Sequence, residues 1–480
     1  MTTDLRSRHA EAGGLDAAGD DLQHRQNDYA RTRVPESEKR GTGSILSVLV
    51  GIVTAFFFLF LGGLFLQKHG AAATWIGVSI GFVLTTGLCW ITCFAASREG
   101  LTAELMTRGC GFGSIGSVLT TLIYGATFII LAATEAQILA TNIALVWDLP
   151  DIIWYVFVAA IFVPMVWGGI SNISRLLSWS TLLYAPLIGV AIWLAWGHLP
   201  QHIAQPTAPA APELTTGGWV GVIAIMGTLS SIVGLNPLES ADYNRYIRHE
   251  TYKRASWMTV VLPYVLMYFV AIPMGMYFTR ATGEINPGIY FVGLLGLAFG
   301  VALAWISQVR INLTNIHLGS IALASVSGQF GGAKLGRRFW TLAVLAAVVV
   351  LMVLDVLGNL TVFLEWNGIF LLAWVGCLVS DLLIVRKWLK IVQGPIEYRP
   401  SHLRKYNPVG IAALLAATLV GSLTWWFAGE SVLRGLSGYI AFAVAAVLHA
   451  VLAAATRGRY YFASAGDERL GPRPAQDWPG

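Results

Sequence analysis

The stretch SIVGLNPLES, residues 231–240, lies near the centre of a nearly uncharged segment that runs from 218 to 247. A segment of that length exceeds the roughly 20 residues needed to cross the hydrocarbon core of a bilayer. Its middle holds Gly234 and Pro237. Proline removes a backbone donor and clashes with the preceding turn, so the pattern predicts unwinding inside a spanning helix, with an ordinary proline kink as the alternative. Non-helical backbone at membrane depth is tolerated only where it is buried in protein or lines a cavity. These ten residues therefore decide between a plain helical bundle and one built around a site at its midplane.

The rest of the chain supports a membrane reading. Of 480 residues, 56% are hydrophobic and only 12% charged, with a mean hydropathy of +0.64. Soluble domains carry roughly a quarter charged residues. The 18 tryptophans suit interfacial belts. Cys89, Cys93, Cys110 and Cys377 lie in or beside apolar segments and read as small hydrophobes, since no second pair completes a zinc site. The polar first 43 residues rule out a secretory signal at that position.

Long apolar runs fall near 44–66, 74–96, 117–143, 152–171, 175–196 and 218–247, then near 256–279, 303–327, 339–357, 359–384, 409–428 and 433–455. Such continuous runs exclude a barrel of short alternating strands, so an all-α integral membrane protein of twelve helices is expected. With the N-terminus inside, of the 31 Lys and Arg only Lys68, Arg280 and Arg434 fall outside and Arg310 falls within a span. The positive-inside rule then places both termini in the cytoplasm. The net charge of +5 is a consequence of topology, not a sign of nucleic-acid binding.

Residues 1–43 mix charges with Gly and Ala without periodicity and are expected to form a disordered cytoplasmic tail. Residues 456–480 read as a second cytoplasmic tail, and 44–455 as one transmembrane domain. Its spacing repeats: two spans, a semi-apolar segment (97–116 or 280–302), then three spans. An odd-numbered unit must run inverted on repetition, which gives a first repeat at 44–196, an inverted one at 218–384, and two extra helices at 409–455. Such repeats interrupt their first helices. In span 1, GIVTAFFFLFLGG at 51–63 contains no proline, so a break there would have to be made by Phe56, Phe57 and Phe58.

A second stretch, SQVRINLTNIHLGS at 307–320, sets polar residues in the eighth span. Gln308, Asn312, Asn315 and Gly319 share one helical face, and Arg310, Thr314 and His317 share a roughly opposite one. Paired amide donors and acceptors suit a planar amide-bearing ligand, or else interhelical hydrogen bonds. His317 reads first as an interhelical residue. Ionisable groups at membrane depth are functional candidates, and three stand out: Glu135 in LAATEAQIL, Arg310, and Glu365 near the outer end of span 10. At 1.5 Å per residue, Glu135 and Arg310 both lie about 7 Å outside the membrane centre, so the two could pair. No metalloprotease, phosphate-loop or nucleophile-elbow motif is present, and the glycines of GCGFGSIG at 109–116 lack the flanking strand of a nucleotide site.

Three short motifs carry a family resemblance: VPESEKRGTGS at 34–44 before span 1, SADYNRYI at 240–247 at the end of span 6, and LVSDLLIVRKW at 378–388 at the end of span 10. With the span count, the chain resembles the nucleobase:cation symporter-1 family, the cytosine permease and hydantoin transporter group, over about residues 34–390. The resemblance implies a LeuT-like fold of five plus five inverted helices and a substrate held among helices 1, 3, 6, 8 and 10. By position it points to Phe56, Phe57 and Phe58, Leu131 and Glu135, Gly234, Leu235 and Asn236, and Asn312 with Asn315. Two positions depart from the pattern. Sodium-coupled relatives carry adjacent hydroxyl residues in span 8, where RINLT at 310–314 places Ile311 and Asn312 beside Arg310. A family tryptophan in span 3 is Leu131 here.

The expectation is a secondary active transporter of the plasma membrane that imports a nucleobase-like or related nitrogenous heterocycle. Coupling to protons is favoured over sodium, with Glu135 titrating, Arg310 as an internal cation and Glu365 as a further coupling or gating candidate. An amino-acid or amine carrier of the same fold is the alternative, and a non-transporting membrane sensor a more distant one. No enzyme activity, cofactor or resident metal is expected; the partners are a small planar molecule and the bilayer.

Overall fold

The computed structural model describes residues 29, 32–147, 149–167, 183–197, 216–329, 337–429 and 431–463. Most of both expected tails, part of the fifth span and most of the long loop after it lie outside these residues. The described chain is helical throughout. The helices are α1 Thr42–Val53, α2 Phe56–Glu99, α3 Ala103–Thr107, α4 Val118–Ala144 and α5 Asp151–Trp167, then α6 Leu183–Gly197. They continue with α7 Thr216–Asn244, α8 His249–Thr282, α9 Pro287–Leu295, α10 Leu297–Gln329 and α11 Arg337–Val353. The last three are α12 Leu360–Trp388, α13 Pro408–Phe427 and α14 Val432–Ala455. Among the described residues, eight helices are long and apolar enough to cross a membrane, and α1, α5, α6 and α11 are shorter apolar helices.

Within the described residues every expected span coincides with helix, and the differences are local. At 44 residues, α2 would be about 66 Å long if straight, twice the hydrocarbon thickness. Gly70 resolves this: its φ of 80° and ψ of 170° are non-helical, and the chain turns there into a second helix. The semi-apolar segment at 280–302 contains α9, and 97–116 contains α3 followed by a π-turn at Arg108–Phe112.

The unwinding predicted at Gly234 and Pro237 is absent: α7 is helical from Thr216 to Asn244, with Pro237 inside it. Gly234 serves close packing instead, because a Cβ there would sit 2.7 Å from the Leu371 Cβ of α12. The break lies in span 1, one residue before the phenylalanines. Thr54 (φ −96°, ψ 14°) and Ala55 (ψ 150°) separate α1 from α2.

In the packing, α7 lies at the centre, against α2 on one side and α12 on another, while α4 pairs with α10 and α14 closes over α12. Outward faces carry exposed apolar side chains such as Val156, Trp193, Leu419 and Val447, as a lipid-facing surface requires.

Candidate substrate site

At the α1–α2 break the backbone must find partners other than its own helix. The Thr54 hydroxyl donates back to the carbonyls of Val50 (2.9 Å) and Gly51 (3.2 Å). The Thr54 carbonyl accepts from the Tyr184 hydroxyl of α6 at 2.9 Å. On the other side of the break, the first turn of α2 presents the positive end of its dipole, and the Phe58 N–H donates back to the Ala55 carbonyl at 3.2 Å. Glu135 of α4 lies beside the Phe57 backbone there, with Gln308 of α10 close by.

A cavity of about 40 Å³ opens at this break, room for a few waters and less than a heterocycle needs, so ligand entry requires its walls to part. Ile52, Ala55, Phe57 and Phe58 come from the two sides of the break, Leu131 and Glu135 from α4, and Ile311 and Asn315 from α10. The face of α7 adds Ser231, Ile232, Leu235, Asn236 and Glu239. The rings of Phe57 and Phe58 meet edge-on, 5.3 Å apart at 82°.

Seven of the sequence-derived candidates therefore meet at one cavity: Phe57, Phe58, Leu131, Glu135, Leu235, Asn236 and Asn315. Others point elsewhere. Phe56 stacks on Phe291 of α9 with centroids 5.0 Å apart, and Gly234 faces Leu371. Asn312 is fully buried next to the site but does not line the cavity. Glu365 lies well apart, accepting hydrogen bonds from Trp425 Nε1 (2.7 Å) and Arg434 Nε (3.1 Å), which tie α12 to α13 and α14.

The matched depths of Glu135 and Arg310 do not produce a pair. Arg310 turns to the other side of α10 and places its guanidinium 5.6 Å from the Tyr184 ring centroid. Residue 310 is two positions on from Gln308, about 200° round the helix. Glu135 meets the Gln308 face and Tyr184 the opposite one.

The polar stripe on α10 is short of partners. Gln308 and Asn312 are fully buried and Asn315 is 2% exposed. Both amide atoms of Gln308 and of Asn312, Asn315 Nδ2 and Glu135 Oε2 have no hydrogen-bond partner among the described residues. Each such group costs about 1–3 kcal/mol; Asn315 and Glu135 belong to the cavity lining, so a polar ligand that pairs with them there removes part of a standing penalty.

Below the cavity, at the end of α7, the chain is firmly closed. Ser240 and Tyr264 share a hydrogen bond of 2.5 Å. Asp242 accepts from Tyr124 Oη (2.9 Å) and from the N–H of Ala103 at the start of α3 (2.8 Å). Arg245 donates to the Tyr29 carbonyl at 2.9 Å. Lys39, ahead of α1, donates to the carbonyls of Arg245 (2.7 Å), Ser97 (3.2 Å) and Ile247 (3.4 Å). Burial pulls the Lys39 ammonium down to about 8, so at neutral pH it still carries its charge and all three donors. Thus the SADYNRYI motif at 240–247 staples the pre-helix segment and α3 to the end of α7.

Sequence reasoning passed over Glu239 and Ser231. Their signal was the spacing itself: Ser231, Ile232, Leu235, Asn236 and Glu239 follow i, i+1, i+4, i+5, i+8, a single helical stripe. Ser231 is braced from outside the cavity by Asn367 Nδ2 (2.8 Å), whose Oδ1 accepts from Thr127 (2.9 Å).

Among solved structures, the chain is similar to Mhp1, a nucleobase-cation-symport-1 family transporter, in a closed conformation with bromovinylhydantoin bound. The TM-score is 0.69 at 16% identity, over 91% of this chain and 97% of that one. The inward-facing conformation of Mhp1 gives 0.70 at 16% identity, over 90% and 95%. The fold is a LeuT-type transporter fold. A Na+-coupled sialic acid symporter, substrate-bound and outward-open, shares it with a TM-score of 0.58 at 11% identity, over 89% and 92%. These LeuT-type neighbours are membrane transporters, not enzymes. No family model and no curated protein matches the sequence.

Proposed function

We propose that this chain is a secondary active transporter of the nucleobase:cation symporter-1 type, importing a nucleobase-like nitrogenous heterocycle across the plasma membrane by alternating access. One observation carries the reading: aromatic rings, amides and carboxylates from α2, α4, α7 and α10 converge on a cavity at a break in the backbone. Rings stack on a flat ligand while amides read its edge. The hydantoin bound to Mhp1, a protein of the same fold, supports this class of substrate. The topology proposed is twelve spans, a first repeat at 44–196, an inverted one at 218–384 and two further helices at 409–455, with both termini cytoplasmic by the charge of the loops.

Protons are the proposed coupling ion. Arg310 stacks on Tyr184, whose hydroxyl holds the Thr54 carbonyl at the break. A guanidinium stacked there repels a sodium ion that would take the Thr54 carbonyl as a ligand, while Glu135, with Oε2 unpartnered, is placed to carry a proton. In proteoliposomes, an inward proton gradient drives uptake and a sodium gradient alone does not. Arg310→Gln loses transport and Arg310→Lys keeps part of it. Sodium-driven uptake without a pH response overturns the coupling assignment.

A further inference from the structure

Glu239 has no task in the coupling scheme above. It is 5% exposed and lines the same cavity as Glu135, and among the described residues no donor reaches its carboxylate. The nearby hydroxyl of Tyr264 is engaged with Ser240 and with the Asn236 carbonyl. Asp242, one turn further on, is occupied by Ala103 and Tyr124.

The cavity therefore has two carboxylates and no Lys, Arg or His in its lining. Arg310 of α10 faces Tyr184 on the other side of that helix. In a water-poor space a carboxylate keeps its charge only beside a cation or a set of donors, and otherwise takes up a proton. A proton on Glu135 relieves one of the two. The other calls for a cation. The remaining lining fits such a guest: Phe57 and Phe58 bring aromatic rings to the cavity, which attract a positive charge over their faces, and Asn315, 2% exposed with Nδ2 unpartnered, brings an amide. Acceptor oxygens outnumber donors, so the complementary ligand is rich in N–H.

We infer that the substrate is a planar organic cation, a ring bearing an amidine-type or protonated amino group, and that Glu239 is the residue that receives this group. The inference rests on the transport reading of the same site and narrows its substrate class.

Binding to the purified full-length protein tests it, by thermal shift and isothermal calorimetry. Two planar cations, 2-aminoimidazole and benzamidine, are compared with two neutral planar rings, hydantoin and uracil, and with an aliphatic amine, cyclohexylamine. The wild type binds the planar cations at least about tenfold more tightly than the neutral rings. Glu239→Gln weakens the planar cations at least about tenfold more than the neutral rings and so abolishes that preference, and Glu239→Asp, which keeps the charge, retains part of it. Size-exclusion profiles of both variants report folding, and Glu239→Asp serves as the test if the glutamine variant does not fold. Equal affinity for cationic and neutral rings, or a preference unchanged in both variants, overturns the inference and leaves heterocycle transport standing. Binding of the aliphatic amine alone, lost in Glu239→Gln, removes the planar ring and with it the heterocycle reading, while Glu239 keeps its cation. Absence of binding by all five compounds overturns both.

Discussion

Two segments at the centre of this protein behave in the reverse of what their residues suggest. The segment from Thr42 to Gly70 contains no proline and breaks at Thr54 and Ala55. The segment from Thr216 to Asn244 contains Gly234 and Pro237 and stays helical. The difference lies in what the freed backbone groups find. At Thr54 a hydroxyl from α6 takes the carbonyl, the residue's own hydroxyl serves two more, and a carboxylate from α4 lies beside the next turn. At Pro237 hydroxyls of Thr92 (2.6 Å) and Tyr264 (3.4 Å) reach the carbonyls of Pro237 and Asn236, but among the described residues no side chain donates to the Val233 carbonyl that the proline frees, and Leu371 packs against Gly234. In a bilayer, a helix opens where the backbone groups that lose their helical bonds find polar partners, and a proline alone does not supply them.

The largest effect is expected where the broken segment is anchored. Beyond the break, α2 lies against α8 with backbone touching backbone: a Cβ on Gly275 would run into the Leu59 carbonyl, and one on Gly62 into that of Ile272. Neither carbonyl can swing aside as a side chain would. Gly275→Ala should cost about 3 kcal/mol, the upper part of the overpacking range, seen as poor yield and a strongly lowered melting temperature. Gly41→Ala, with nothing within 4 Å, is the control and should melt like the wild type. If Gly275→Ala melts normally, the outer half of the first span is not held by α8 and the break owes its position to something else.

A smaller effect should follow from removing the partner that the break depends on. Tyr184→Phe keeps the ring beneath Arg310 but deletes the donor to the Thr54 carbonyl. Loss of one such bond, with a buried carbonyl left over, costs about 1–3 kcal/mol. Since the break builds the cavity, substrate affinity should fall about tenfold while the protein still elutes as a folded species. Uptake kinetics check it. Unchanged affinity would show that the break persists without its α6 partner, which would weaken the contrast with α7.

The limits of the sequence reading follow the same line. Span positions were legible because length and apolarity decide them locally, and α4, α13 and α14 begin and end within one residue of expectation. The break at Thr54 was not legible, because its decisive partner is Tyr184, 130 residues further on. Arg310 and Glu135 were placed at matching depths, since rise per residue is fixed, but the azimuth of α10 against its neighbours is set by packing, and it turned them apart. Seven site residues were found through residue type and position. Glu239 was readable from its stripe with Leu235 and Ser231, and was missed because it stands between a proline and a charged motif that drew the reading elsewhere.

The smallest effect is expected at the residue that looked most disruptive. Pro237 denies the Val233 carbonyl its usual donor, yet α7 carries no widened turn there. Elsewhere the fold does make that adjustment: in α8, Pro263 and Pro273 each follow a π-turn, at Trp257–Val261 and Met267–Ala271. Pro237→Ala restores one N–H to a helix that is already closed, so it should gain no more than about 1 kcal/mol. Uptake should stay within about twofold of the wild type, since no transition-state or binding contact is removed. Melting temperature and initial uptake rate, measured on the same preparation, separate two pictures of α7. A slightly more stable protein with normal uptake means α7 travels as a rigid rod while the first span does the bending. A stable protein whose uptake collapses means the transport cycle visits a state in which α7 opens at Pro237, and the contrast between the two segments then belongs to one conformation and not to the whole cycle.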